Sequence, residues 1–177
     1  MGRGNVFLVG MMGAGKTTLG RALAHRLQRR FVDTDKVLVD RTGVPVATIF
    51  EIEGEEGFRR RESALLAELA AGDDCIVATG GGAVLASENR RVMRENGTVV
   101  YLRARIDCLW ERTRQDTSRP LLATPDPRAT LAELLEKRDP LYRDAAHLVV
   151  ETGSQSASTV VNRVVAALER QARQAAS

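Results

Sequence analysis

GMMGAGKT, residues 10–17, decides how the rest of the chain is read. It fits G-x-x-x-x-G-K-[ST], a phosphate-binding loop. The apolar, β-prone run Asn5–Val9 precedes it. Lys16–Gln28 follows, with Leu19, Leu23 and Leu27 at helical spacing. A strand–loop–helix unit of this kind turns backbone N–H groups inward around phosphate oxygens, and the helix N-terminus adds partial positive charge. Lys16 reaches the outer phosphates, and the Thr17 hydroxyl can ligate Mg²⁺. With motif and context both satisfied, nucleotide binding is the strongest reading of the chain.

Outward from this loop, short β-rich runs alternate with helical ones. Phe31–Val32, Cys75–Ala78, Thr98–Leu102 and His147–Val150 read as further strands. They are dominated by Val, Ile and Leu, as expected for strands buried on both faces. Helices are predicted over about 54–71, 88–95, 106–115, 129–138 and 156–173, the last with Val160, Val164, Val165 and Leu168 on one face. This alternation predicts an α/β fold, a parallel sheet covered by helices on both sides. No internal repeat is present. Residues 36–58 hold two short helices about a Gly43–Pro45 turn, a long insertion between the second and third strands. Residues 116–128, DTSRPLLATPDPR, carry Arg119 and read as a mobile lid, with a disordered connection as the competing reading.

A length of 177 residues with 44% hydrophobic and 28% charged residues suits one soluble domain, 1–177. Within it we expect a core of about 5–30, 75–111 and 129–175, a substrate-binding insertion over about 34–62 and a lid over about 112–128. Aromatics are only 4%, which argues against a stacking platform for single-stranded nucleic acid. A net charge of +3 without a dense Lys/Arg block reads first as a mildly basic solvated surface, next as a basic cleft for anionic small molecules, and last as a nucleic-acid face. Cys75 and Cys108 are too few and too far apart for a disulfide or zinc framework, and His25 and His147 read as structural. The chain lacks the 18-residue apolar stretch of a membrane span. The start is too short in apolar residues for a secretory signal, and Val6 stands where a myristoylation motif wants Ser or Thr. The expected setting is the cytoplasm, and the expected state a monomer.

Four further features point to one cleft. FVDTD, residues 31–35, ends a strand in an acid pair. If the backbone stays extended, Asp33 and Asp35 leave one face roughly 6–7 Å apart. Thr17 and Asp33 then share a Mg²⁺ shell, Asp33 through water. Asp35 accepts from an acceptor hydroxyl; the competing reading of the pair is an N-cap for the following helix. In GFRRRE, residues 57–62, Glu62 stands three residues from Arg59 and can orient its guanidinium, while Arg60 and Arg61 point into solvent. Gly80, Gly81 and Gly82 follow a buried strand and bring bare backbone to the carboxyl end of the sheet. In KRDPLYR, residues 137–143, Pro140 is expected to end a helix and aim Arg138 at the same cleft. Two arginines and a backbone turn suit a carboxylate. With Asp35 for a hydroxyl, the acceptor reads as a hydroxylated carboxylic acid.

GMMGAGKTT, FVDTD, FRRRE, GGGAV, RPLL and KRDPLYR, in this order and at these intervals, closely resemble the shikimate kinase family over roughly residues 5–152. The resemblance implies a three-layer P-loop kinase fold of the nucleoside-monophosphate-kinase type, with a five-stranded sheet in the order 2-3-1-4-5. It implies transfer of the ATP γ-phosphoryl group to the 3-hydroxyl of shikimate, in the pathway to chorismate and the aromatic amino acids. Carried over residue by residue, it implies that Asp35, Arg59, Gly81 and Arg138 hold shikimate, with Gly80 and Gly82 beside them and Phe50 and Phe58 against the ring. It places ATP on Gly13, Ala14, Gly15, Lys16, Thr17 and Thr18, and Mg²⁺ at Thr17 and Asp33. Arg119 becomes the lid arginine at the phosphates, and Arg112 flanks the adenine. Where the family often carries a basic residue after the last strand, this chain has Gln155. The readings set against it are another small P-loop kinase, such as a gluconate or nucleoside-monophosphate kinase, and a nucleotide-gated binding module without turnover.

Overall fold

The computed structural model describes residues 4–116 and 119–177. Met1–Arg3, where the leader and myristoylation readings begin, lie outside them, as do Thr117 and Ser118 of the predicted lid. Five strands form one parallel sheet: β1 (Asn5–Val9), β2 (Arg30–Asp33), β3 (Cys75–Ala78), β4 (Gly97–Ala104) and β5 (Leu148–Thr152). Their order is β2-β3-β1-β4-β5, as expected. The seven helices given by the described residues are α1 (Lys16–Leu27), α2 (Thr34–Thr42), α3 (Val46–Ala70), α4 (Ser87–Asn96), α5 (Ile106–Thr113), α6 (Pro127–Ala145) and α7 (Ala157–Ala175). One-turn 3₁₀ segments sit at Ala83–Leu85 and Pro120–Leu122.

The central strand β1 is buried along its whole length, between β3 and β4. A strand sandwiched this way must be apolar on both faces, and NVFLV is apolar after its first residue. That residue, Asn5, is buried and earns its place through hydrogen bonds. Its amide donates to the Leu69 and Gly72 carbonyls, and its oxygen accepts from the Cys75 N–H at 3.1 Å. The edge strands depart from the expectation of burial on both faces. β2 is only partly covered, and β5 alternates, with Val149 exposed between half-buried Leu148 and buried Val150. An edge strand has one neighbour and less helix cover, so alternation returns there.

The sequence period stops short at α6 only. Within α3 the backbone leaves helical geometry at Gly54 (φ 72°, ψ 177°), a kink that divides the expected short helix before it from the expected long helix that runs on to Ala70. Glu53 and Arg61 bridge the kink with two hydrogen bonds of 2.7 Å. Pro140 does not end α6, which continues to Ala145. A proline inside a helix removes one N–H bond. Burial of Tyr142 and Ala145 beyond it keeps the helix going.

Two apolar cores result. The larger surrounds the sheet; the smaller, built on Leu38, Ile49, Phe58 and Leu65, joins α2 to α3 within the insertion. Cys75 is buried, and Cys108 partly so. His147 acts structurally, as expected: its N–H donates to the Val99 carbonyl and its Nδ1 accepts from the Val99 N–H, at 2.8 and 3.0 Å. Among the described residues, no helix is long and apolar enough to cross a membrane.

Candidate active site

All five strands point their carboxyl ends to the same side of the sheet, and a cavity of about 750 Å³ opens there. Its first half is the phosphate loop. Gly13 and Gly15 hold φ angles of 82° and 94°, the left-handed region that side chains disfavour, and Gly15 caps α1. These turns wrap the loop around its own lysine. Lys16 Nζ donates to the carbonyls of Gly10 and Met11, at 2.5 and 2.8 Å. Burial of the ammonium pulls the Lys16 pKa down to about 7; the nearby positive charge of Arg119 adds to this, while Asp35 and Asp33 oppose it. Ala14 is buried beneath the loop, and Thr17 and Thr18 are exposed beside its mouth. Arg112 clips the loop from α5, donating to the Gly13 carbonyl at 2.9 Å and to the Gly153 carbonyl at 2.7 Å.

The acid pair splits. The chain turns helical at Thr34, so Asp33 caps α2: its Oδ1 accepts from the N–H groups of Asp35 and Lys36, at 3.0 and 3.3 Å. Its Oδ2 accepts from the Thr17 hydroxyl at 2.7 Å. The capping role and the position beside Thr17 are thus both filled by one carboxylate. A strand end followed at once by a helix N-terminus satisfies orphan N–H groups with the last strand residue. The expected same-face spacing of an extended pair is thereby overruled, yet both carboxylates still line the cavity.

Asp35 opens the second half of the cavity. Its Oδ1 is buried without a hydrogen-bond partner among the described residues. Burial, then the neighbouring Asp33 charge, pushes its pKa up, against the pull of Lys16, Arg119 and Arg59. Arg59 lies across from it on α3, held at Nη1 by Glu62 (3.1 Å) and at Nη2 by Glu55 (3.3 Å). Glu62 is fully buried, and burial raises its pKa although Arg59 opposes the shift. Arg59 also stacks over Phe58, whose ring lies 4.8 Å from that of Phe50. Arg138 enters from α6, 3% exposed, with one terminal nitrogen unpartnered among the described residues. As expected, Arg60 and Arg61 are exposed, and each pairs with a nearby glutamate.

The glycine turn serves space. A Cβ on Gly80 would stand 2.5 Å from Glu62 Oε2 and 3.1 Å from Asp35 Oδ1, and one on Gly82 would overlap the Arg59 guanidinium. Bare backbone there lets buried charged groups from three other elements meet. Arg119 faces the cavity beside Pro120 and Leu121, its Nε donating to Asp116 at 3.0 Å. Buried Leu122 anchors that segment.

The cavity therefore collects Lys16, Thr17, Asp33, Asp35 and Arg112 with Arg59, Arg119, Arg138 and the glycine turn. Gln155, exposed on the loop after β5, is outside its lining. The sequence reading passed over the Gly43–Val46 turn, which also lines the cavity, and over Tyr142, whose hydroxyl donates to the Gly81 carbonyl at 2.5 Å. The signal for Tyr142 was its place one helical turn beyond Arg138, which puts both on one face.

Comparison with known proteins agrees with this geometry. A shikimate kinase from Nitrosospira multiformis is 63% identical over 153 residues, covering 86% of this chain and 78% of that one. A shikimate kinase from Bordetella pertussis is 57% identical over 164 residues, 93% of this chain and 78% of its own. Among solved structures, a shikimate kinase from Acinetobacter baumannii in complex with shikimate superimposes with a TM-score of 0.93 at 42% identity, over 96% of this chain and 94% of that one. The family model for shikimate kinase spans residues 12–169, nearly the whole fold described above, and the chain belongs to the shikimate kinase family.

Proposed function

We propose that this protein transfers the γ-phosphoryl group of ATP to the 3-hydroxyl of shikimate, giving shikimate 3-phosphate and ADP in aromatic amino acid biosynthesis. One observation carries the reading. Asp35, with an unsatisfied buried oxygen, shares one cavity with the phosphate-loop lysine and with two arginines suited to a carboxylate.

Phosphoryl transfer asks the protein for alignment, charge neutralisation and exclusion of water. The bond from γ-phosphorus to its bridging oxygen breaks as the bond to the acceptor oxygen forms. Asp35 orients the acceptor hydroxyl and takes its proton; its raised affinity for protons suits that task. Arg59 and Arg138 hold the acceptor carboxylate, and Phe50 and Phe58 wall the ring. Residues 13–18 cradle the phosphates, Lys16 leaves its loop carbonyls for phosphate oxygens, and Arg119 adds its charge to the γ-phosphoryl. Arg112 borders the adenine.

Thr17 and Asp33 offer two hard oxygens side by side at the loop, which fits a Mg²⁺ that keeps most of its ligands as water and phosphate. Bound there, Mg²⁺ supplies charge neutralisation for the phosphates. The same proposal takes residues 1–177 as one kinase domain, active in the cytoplasm as a monomer. The segment from about 112 to 128 acts in it as a lid that closes when both substrates are bound.

Incubating the protein with ATP and Mg²⁺ and with shikimate, gluconate, AMP or CMP, and following ADP, tests the proposal. ADP formation only with shikimate is the expected result. Turnover of another acceptor, or of none, overturns it.

A further inference from the structure

The middle glycine of the turn is tied differently from its neighbours. The Gly80 carbonyl accepts from the Ala83 N–H and the Gly82 carbonyl from the Leu85 N–H, both at 3.1 Å and both within the local 3₁₀ turn. The Gly81 carbonyl accepts from a different element, the Tyr142 hydroxyl of α6. Tyr142 is fully buried, its ring is stacked 4.9 Å from Tyr101, and its hydroxyl also lies 3.5 Å from the Met11 sulfur. Stacking and burial hold the ring, and the Arg138 side chain donates to the oxygen of the same hydroxyl.

The plane it holds has little preference of its own. Rotating the 81–82 peptide changes ψ of Gly81 and φ of Gly82, and glycine accepts either sign of φ. In a trans peptide the carbonyl and the N–H point to opposite sides. Whichever side the Gly81 carbonyl takes, the Gly82 N–H takes the other.

We infer that the Tyr142 hydroxyl is the latch that sets this plane. By keeping the Gly81 carbonyl on the α6 side, it turns the Gly82 N–H away from α6. The turn thus presents a donor to an anion held by Arg59 and Arg138. Gly82 packs directly against the Arg59 guanidinium, and a Cβ on Gly81 would lie 3.4 Å from the Arg138 nitrogen, so the turn is in place to join them. A flipped plane would set a carbonyl oxygen beside the acceptor's carboxylate. Tyr142, which does not line the cavity, is therefore a positioning residue for acceptor choice. The inference rests on the proposed use of a carboxylate acceptor.

Tyr142→Phe keeps the ring stack and removes the latch. Calorimetry and steady-state kinetics are expected to give about a tenfold rise in the shikimate Kd and KM, the loss of one good hydrogen bond. ATP affinity should be unchanged, and the unfolding temperature should fall only by the small amount that loss of one buried hydrogen bond brings. The preference for shikimate over its carboxamide analogue should shrink, because a freed carbonyl can accept from an amide. Tyr101→Phe, which removes the neighbouring hydroxyl's bond to Asp139 and leaves the latch, should keep wild-type shikimate affinity. Wild-type shikimate affinity and acid preference in Tyr142→Phe, beside an active parent, would overturn the latch alone. Equal losses for ATP and shikimate would also overturn it, in favour of a structural role. A parent protein that neither binds nor phosphorylates shikimate would overturn the functional proposal and the latch with it.

Discussion

The two ends of the cavity are built on opposite plans. The phosphate end is one contiguous loop whose shape comes from backbone conformation, and its polar groups are satisfied internally: Lys16 by two carbonyls, Asp33 by Thr17 and two N–H groups. The acceptor end draws side chains from α2, α3 and α6 onto the turn after β3. Four of its buried polar atoms, on Asp35, Arg59, Glu62 and Arg138, have no hydrogen-bond partner among the described residues. Even the glycines differ. At the phosphate end they supply a left-handed φ; at the acceptor end they supply room. The first end is complete in itself and suits a phosphate chain of any nucleotide. The second holds buried charged groups with bonding capacity left over among the described residues, and leaving such a group unpaired costs about 1–3 kcal/mol. A ligand bearing the right hydroxyls and carboxylate relieves that cost, and one without them does not, which is how such a site discriminates.

The sharpest way to break this contrast is Asp35→Asn. Loss of a general base is expected to cut turnover by about 10²–10⁴, while ATP still binds; a coupled ADP assay beside calorimetry reads both. Near-normal turnover would remove Asp35 from the chemistry. Next in size is Arg138→Ala, expected to weaken shikimate binding by about 2–5 kcal/mol as the partner of a buried charge. ATP affinity should stay nearly constant, and equal losses for both ligands would mean that the two ends are not independent.

Gly80→Ala should destabilise the fold by about 1–3 kcal/mol through overpacking against Glu62 and Asp35, with shikimate affinity falling alongside. Denaturant melts of this variant would undercut the space-filling account if they matched the parent's. The smallest effect concerns Lys16. Burial lowers its pKa to about 7 in the free protein, so part of it is neutral near that pH. Phosphate oxygens restore the charged form, so ATP binding should take up a fraction of a proton there. The sign is uptake, because binding raises a depressed pKa, and the uptake should fade below pH 6. Binding enthalpies in buffers of different ionisation heat measure it, and a value that does not depend on the buffer would argue against the depressed pKa.

Asp35 and Glu62 shape acid stability in the same manner. Their carboxyls hold protons more tightly in the folded chain than in the unfolded one. Their contribution is therefore full below the ordinary carboxylate range and is lost as pH rises through their raised values. The acceptor pocket works against the fold at neutral pH, a recurrent relation between stability and a functional site.

Particular residues mark how far the sequence could be read. The phosphate loop was legible because its motif is local: strand, glycine spacing, Lys16 and Thr17 all fall within thirteen residues, Asn5 to Thr17. Cys75–Ala78 was predicted to the residue, because a strand buried on both faces is an unbroken apolar run. β5 and β2 were not predicted to be half-covered, since edge position is a property of the sheet. The end assigned to α6 at Pro140 failed because burial of Tyr142 outweighs one missing N–H bond. Asp33 and Asp35 were both placed at the site, but by extended geometry; the helix that starts between them decides their actual division of labour.

By itself the sequence determined the parallel α/β plan, the phosphate loop and the kinds of side chain the acceptor end requires, because periodicity and short motifs act over a few residues. Only the tertiary structure decided that Asp35, Arg59, Gly80–Gly82 and Arg138 enclose one volume, and that Tyr142 holds the turn between them. Those contacts join residues up to about a hundred positions apart. The packing of α6 against the turn after β3 sets them, and no local pattern along the chain encodes that packing.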